Sequence, residues 1–408
     1  MGGSYGTYLA HRFLQLYPDA VDGVTLEAIA GNQQNGIEFD DWRSAAGERL
    51  LQACAGDAFC ASKLPDPLAT LDALFTKLDG GHCGALGVDA YVAKYLMTYL
   101  AFYHPLNTAI PSFIYRLDRC SLADQQAIVA MYDNVFGGNG DLIGTTDRSF
   151  SSVMSQNVQL SELFWDEAFD GVDLEGWFAE QNDRTRFGFE GGPTMLASYA
   201  VWPRYDEPLS GSLFAETTTP MLMLQGGVDV ATPDEQAALY ATQFSAPGQH
   251  WAYFPAGAHN LLGGTPVDDA GNHCAMNMFL EFLAAPSEAP SDCLADVFPL
   301  DFAGYPALND YVYGTADLWE NSTVAGSAVG KAALPDELAR AGRALRRALR
   351  ASGRQVFDRT KKRHPNDHSG HADARLRRPP SLGERKDEPR VGARGRQPSG
   401  FDQRSLVE

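Results

Sequence analysis

Three stretches of the chain carry residues suited to nucleophilic acyl transfer. Gly2-Gly3-Ser4-Tyr5-Gly6 places a serine between glycines, Asp229 follows Gly226-Gly227-Val228, and His259 closes Pro255-Ala256-Gly257-Ala258. A serine hydroxyl has a pKa far above 7. It attacks only with a base in hydrogen-bond reach, and that base needs an acid to hold one tautomer. The chain order serine, acid, histidine is one of the orders in which such triads occur. Gly-x-Ser-x-Gly alone is weak, because most matches are ordinary turns. The other histidines have simpler explanations: His250 lies within a strand pattern, His273 begins a helix, His11 is a packing or surface residue, and His82 and His104 fall in a helical region. Asp234 and Glu235 read as helix-capping residues.

These positions need elements to hold them. Thr7 to Tyr17 has apolar residues Leu9, Ala10, Phe13, Leu14 and Leu16 at helical spacing, and Pro18 stops it. Val21 to Ile29 reads as a short buried strand. Glycines beside the serine suit a sharp strand-to-helix turn, where side chains would clash and the hydroxyl sits at the positive end of a helix. Tyr5 then supplies a backbone N–H for an oxyanion. The strand that should deliver the serine is expected to be missing. Pro220 to Leu224 is a short apolar run ending at glycines, as a buried parallel strand should. Thr232 as N-cap, Pro233 and Glu235 predict a helix start with a capping box. Gln249–Phe254 is the next strand, and Cys274–Ala285 is an amphipathic helix with Met276, Phe279, Leu280 and Phe282 inward. Both Asp229 and His259 thus follow strand ends, where ligands bind in open α/β folds.

Between these halves, Asn32 to about Tyr199 loses the strand–helix alternation and reads as a helical insert. Predicted helices are Asp41–Ala53, Tyr91–Phe102, Leu122–Phe136 and Val158–Phe169. The net charge of −20 hides a split. Residues 331–408 carry 20 Lys and Arg against 10 Asp and Glu, leaving 12 basic and 42 acidic residues in 1–330. So acidic a body argues against nucleic acid or an anionic membrane as partner. No apolar run approaches the roughly 18 residues of a membrane span. The tail has almost no apolar periodicity and is expected to be disordered; its His364, His368 and His371 make no metal site there. The six cysteines, Cys54, Cys60, Cys83, Cys120, Cys274 and Cys293, show no metal-binding spacing. They are either buried thiols or three disulfides, and the favoured pairing is Cys54–Cys60, Cys83–Cys120 and Cys274–Cys293 in a protein that matures outside the cytoplasm.

The segments GGSYGTYLAHRFLQLYPDAVDGVTLE, PMLMLQGGVDVATP and YFPAGAHN resemble the serine peptidase family of the α/β-hydrolases that includes proline iminopeptidases and tripeptidyl aminopeptidases. The resemblance spans roughly residues 1–303 and is most specific in those three segments. It implies an α/β-hydrolase fold, export, no cofactor, no metal, and peptide substrates with a free N-terminus. On that reading 1–31 holds the nucleophile turn, 32–200 a cap, 201–303 the rest of the core, 304–330 an extension and 331–408 the basic tail. Relatives carry further strands and a second oxyanion donor ahead of the serine. They also often carry cysteines near Phe164-Trp165 and about Tyr199, which are absent here. A chain cut at the front is therefore expected, poorly soluble and no faster on aminoacyl-arylamides than its Ser4→Ala variant.

An esterase would use the same triad, since the triad reports acyl transfer and not the leaving group. An aminopeptidase additionally needs carboxylates for the substrate ammonium, and Asp166 and Glu167 are the candidates. The third possibility is a catalytically dead fragment.

Overall fold

The computed structural model describes residues 1–32, 35–136, 151–165, 167–205 and 214–320. Four parallel strands form one sheet in the order β1 (Gly2–Gly3), β2 (Val24–Glu27), β3 (Met221–Gly226) and β4 (Gln249–Phe254). The serine is therefore delivered by a strand after all, although one of two residues, with Gly2 opposite Leu26 and Gly3 opposite Glu27. Alternation along β3 divides the core. Met221 and Met223 face α1 (Tyr5–Leu16) and α11 (Asp234–Gln243), whereas Leu222 and Leu224 face α12 (Leu261–Gly264) and α13 (Cys274–Ala284). All four side chains are fully buried. Each stabilises the fold by roughly 1.5–3 kcal/mol relative to exposure, so a charge at Leu224 would break the layer.

The insert between β2 and β3 is helical, as its composition predicts. It contains α2 (Phe39–Gly56), α3 (Ala58–Lys63), α4 (Pro67–Asp79), α5 (Ala90–Ala101), α6 (Ile110–Arg119), α7 (Leu122–Phe136), α8 (Ser152–Val158), α9 (Leu174–Arg184) and α10 (Gly192–Tyr199). Asp57, Asp66, Asp89, Ser151 and Asp173 cap helix starts, each side chain accepting a first-turn N–H that has no intrahelical partner. The predicted helix Val158–Phe169 is instead broken into a π turn at Gln159–Leu163 and a 3-10 turn at Glu167–Phe169. The extension does not stand apart. Its helix α14 (Pro306–Tyr313) and Trp319 join the core of α2–α7, where Arg116 donates to the Leu318 carbonyl at 2.6 Å and Trp319 to that of Phe302 at 2.8 Å.

The cysteines form the favoured pairs: Cys54–Cys60, Cys83–Cys120 and Cys274–Cys293, with Cα separations of 5.3, 5.7 and 5.6 Å. Among the described residues no helix is long and apolar enough to cross a membrane. The tail 331–408 lies outside the described residues, as do residues 321–330 of the extension.

Two helix faces differ from expectation. On α1 the buried stripe is Thr7, Tyr8, His11, Arg12 and Leu14, while Leu9, Phe13 and Leu16 are exposed. Among the described residues β1 is an edge strand of two residues, paired on one side only with β2. On α13, Ala275, Met278 and Phe282 point inward and Leu280 is exposed.

Candidate functional site

Ser4 sits between β1 and α1 with φ 54° and ψ −131°, a conformation that costs a non-glycine residue about 1–3 kcal/mol. Local bonds hold it there. Its N–H donates to the Glu27 carbonyl at 2.9 Å, and its carbonyl accepts from the Thr7 amide at 2.9 Å and the Thr7 hydroxyl at 2.6 Å. Gly2 is sterically required, since a Cβ there would lie 2.3 Å from the Gly6 carbonyl oxygen. Gly6 is not: no atom lies within 4 Å of the place its Cβ would take. The backbone N–H of Tyr5 opens α1 at its positive end, where an oxyanion would be stabilised.

Asp229 lies in the loop between β3 and α11 and is fully buried. Gly226 lets this loop press against the histidine loop; a Cβ there would meet the Gly257 carbonyl oxygen at 2.3 Å. Asp229 Oδ1 accepts the amides of Ala231 and Thr232 at 2.8 and 2.9 Å, and Oδ2 accepts the Thr232 hydroxyl at 2.8 Å. Thr232 is thus spent on the aspartate and not on capping α11, whose N-cap is Pro233 with no side-chain cap bond. The capping box does not form, because Glu235 pairs with Arg49 instead.

His259 follows β4. Its Nδ1 lies 2.9 Å from Asp229 Oδ2 and 3.1 Å from Oδ1, and its amide donates to the Phe102 carbonyl at 3.0 Å. Burial disfavours the charged imidazole, but Asp229, with a smaller contribution from Glu27, outweighs it and raises the pKa. The acid and the histidine are therefore brought together as expected. No hydrogen bond links Ser4 to His259 in this structure.

The insert is pinned to both the Asp229 loop and the His259 loop, which spacing in the sequence did not disclose. From α2, Arg43 donates to the Val230 carbonyl at 3.1 Å and Arg49 to that of Gly227 at 2.6 Å. Beyond α5, the His104 amide donates to Asn260 Oδ1 at 2.9 Å, and Asn260 returns a bond to the His104 carbonyl at 3.1 Å. Of the candidates for amine binding, Asp166 lies outside the described residues. Glu167 is exposed in its 3-10 turn and makes no bond to the triad. The insert carboxylate that contacts α1, the helix that follows Ser4, is Glu162 in the π turn: Tyr8 donates to it at 2.7 Å, and Arg12 lies 3.9 Å away. No pattern in the sequence pointed to Glu162, because 158–169 reads as one uninterrupted helix.

His11 is buried among Phe214, Tyr240 and Phe244 and accepts the Ala215 amide at 3.0 Å. A cavity of about 140 Å³ is lined by His104, Phe254, Gly257, Thr265 and Leu294, and not by Ser4, Asp229 or His259. Among the described residues no group of three or more His, Cys, Asp and Glu side chains is placed to hold a metal ion.

Comparison of the chain with protein-family models, with curated proteins and with solved structures returns no match.

Proposed function

We propose that this chain carries a serine hydrolase site of the α/β-hydrolase type, acting as an exported aminopeptidase. Ser4 attacks the scissile carbonyl and passes its proton to His259 Nε2. Asp229 holds the Nδ1–H tautomer and stabilises the imidazolium. The Tyr5 amide receives the developing oxyanion. His259 then protonates the leaving amine, and water releases the acyl group by the reverse sequence. The observation that carries this reading is the buried Asp229–His259 pair at 2.9 Å, set at the same end of a parallel sheet as a serine held at positive φ.

Restriction to free N-termini rests on the resemblance of the three segments and on a carboxylate near the nucleophile. Glu162, the insert carboxylate that accepts from Tyr8 on α1 and lies 3.9 Å from Arg12, is the candidate for the role assigned to Asp166 and Glu167. The disulfides support export, since such bonds persist in oxidising compartments. An esterase reading has its own support in the aromatic face of the insert: the Phe102 ring lies 6.2 Å from that of His259, beside Tyr99 and Phe189.

A fluorophosphonate probe followed by intact-mass analysis tests the nucleophile, because a single attack is read per molecule even where turnover is slow. One adduct, lost in Ser4→Ala and in His259→Ala, is expected. Absence of an adduct, or its survival in Ser4→Ala, would leave a catalytically dead chain. Comparing alanyl-arylamides with and without an acetylated amine, and both with aryl esters, separates aminopeptidase from esterase.

A further inference from the structure

We propose that Glu27 is a positioning residue that ties the nucleophile turn to the histidine loop and supplies a second negative charge to His259. The proposal rests on Ser4 and His259 being the acyl-transfer pair. Glu27 closes β2, beside both elements. Its carbonyl accepts the Ser4 amide at 2.9 Å, and its carboxylate Oε1 accepts the Leu262 amide at 2.9 Å, three residues beyond His259. One residue therefore fixes the serine through its main chain and the histidine loop through its side chain. Its other oxygen, Oε2, lies toward Gly3 on β1, 3.4 Å from where a Cβ at that position would be.

A neutral side chain would satisfy the Leu262 amide equally well, so the tether alone does not call for a charge. The ionisable groups acting on Glu27 are His259 and Asp229. Burial raises the Glu27 pKa, the Leu262 amide and His259 work against that, and Asp229 adds to it. A partly buried carboxylate beside a second one is unfavourable unless a cation forms nearby. That cation arises when the Ser4 proton moves to His259. Glu27 takes no proton in this step; its charge favours the imidazolium that forms, and its bonds to the Ser4 and Leu262 amides hold the serine turn and the histidine loop to the same strand end. Misplacing either partner by about 1 Å can cost on the order of 100-fold in rate.

The test compares the 408-residue chain with Glu27→Gln and Glu27→Ala. Glutamine keeps an acceptor for Leu262 and removes the charge, whereas alanine removes both. Two readouts are taken: the rate of fluorophosphonate labelling, and the titration of His259 by NMR on histidine-labelled protein, its signal assigned by loss in His259→Gln. The His259 midpoint is expected to move to lower pH in Glu27→Gln. Labelling is expected to slow modestly in Glu27→Gln and about 10- to 100-fold in Glu27→Ala. An unmoved midpoint in a folded Glu27→Gln variant overturns the electrostatic role, and wild-type labelling by Glu27→Ala overturns the tether. Labelling that survives Ser4→Ala sinks the hydrolase reading instead. The NMR arm needs no turnover, so it decides the Glu27 question even if the wild-type chain does not label.

Discussion

Thr232 donates its hydroxyl to Asp229 Oδ2 at 2.8 Å and stands 3.3 Å from His259 Nδ1, so a threonine three residues past the acid braces the acid–base pair. With the amides of Ala231 and Thr232 on Oδ1, it leaves the aspartate no freedom to turn away from the imidazole. Thr232→Val removes one hydrogen bond to a charged group, worth about 1.5–3 kcal/mol. A loss of roughly 10- to 100-fold in kcat/KM is expected, with Thr232→Ser recovering most of it. Equal activity of the valine and wild-type forms would remove Thr232 from the site.

The triad itself is tested by Ser4→Ala, His259→Ala and Asp229→Asn. Each is expected to lower kcat by about 10⁴-fold or more, and the double variant Ser4→Ala/His259→Ala should be little worse than either alone, because the residues act as a unit. A variant that keeps more than about a tenth of the activity is not a member.

In the proposed mechanism His259 acts as a base and must be neutral. Burial lowers the pKa of this imidazole, yet Asp229 and Glu27 outweigh it, so the acid limb of kcat/KM should lie above the value of an ordinary histidine. The same raised pKa stabilises the fold below the unfolded-state pKa, and this contribution fades as pH rises through the folded one. An acid limb below pH 6.5, the ordinary histidine value, would contradict the pairing.

His11 has the opposite sign. Burial, with a further push from Arg12, pulls its pKa down to about 4. The folded state then binds fewer protons than the unfolded state between that value and the ordinary 6.5. Stability should fall by about 3 kcal/mol as pH drops through this window. Urea unfolding at several pH values checks it: His11→Gln should flatten the curve relative to wild type, and an unchanged slope would count against the buried neutral ring.

Breaking the Cys274–Cys293 bond, which closes a loop of 19 residues ahead of the segment packed on α13, should cost about 3 kcal/mol. Peptide mapping without reductant should recover the pair joined, and Cys274→Ala/Cys293→Ala should melt at lower temperature. Alkylatable thiols at both positions in exported protein would rule the bond out.

Much of the site was legible in local pattern. Gly-x-Ser-x-Gly before a helical repeat, and apolar runs ending in glycine before Asp229 and His259, define strand ends, because burial on both faces requires continuous apolar residues and a close loop requires glycine. The helical insert was legible for the same reason: its apolar spacing is local. What the tertiary structure alone decided is where unlike segments meet. Leu9, Ala10, Phe13, Leu14 and Leu16 showed that Thr7 to Tyr17 is helical, but not which stripe is buried: Leu14 is covered whereas Leu9, Phe13 and Leu16 are exposed, because that depends on what packs against the helix. Thr232 and Glu235 matched a capping box, yet a buried carboxylate and an arginine from α2 compete more strongly for them than a helix end does. Glu27 and Glu162 carry no motif. They gain meaning from contacts with Leu262 and Tyr8, 235 and 154 residues away in sequence, and only the packed chain brings such partners within reach of a carboxylate.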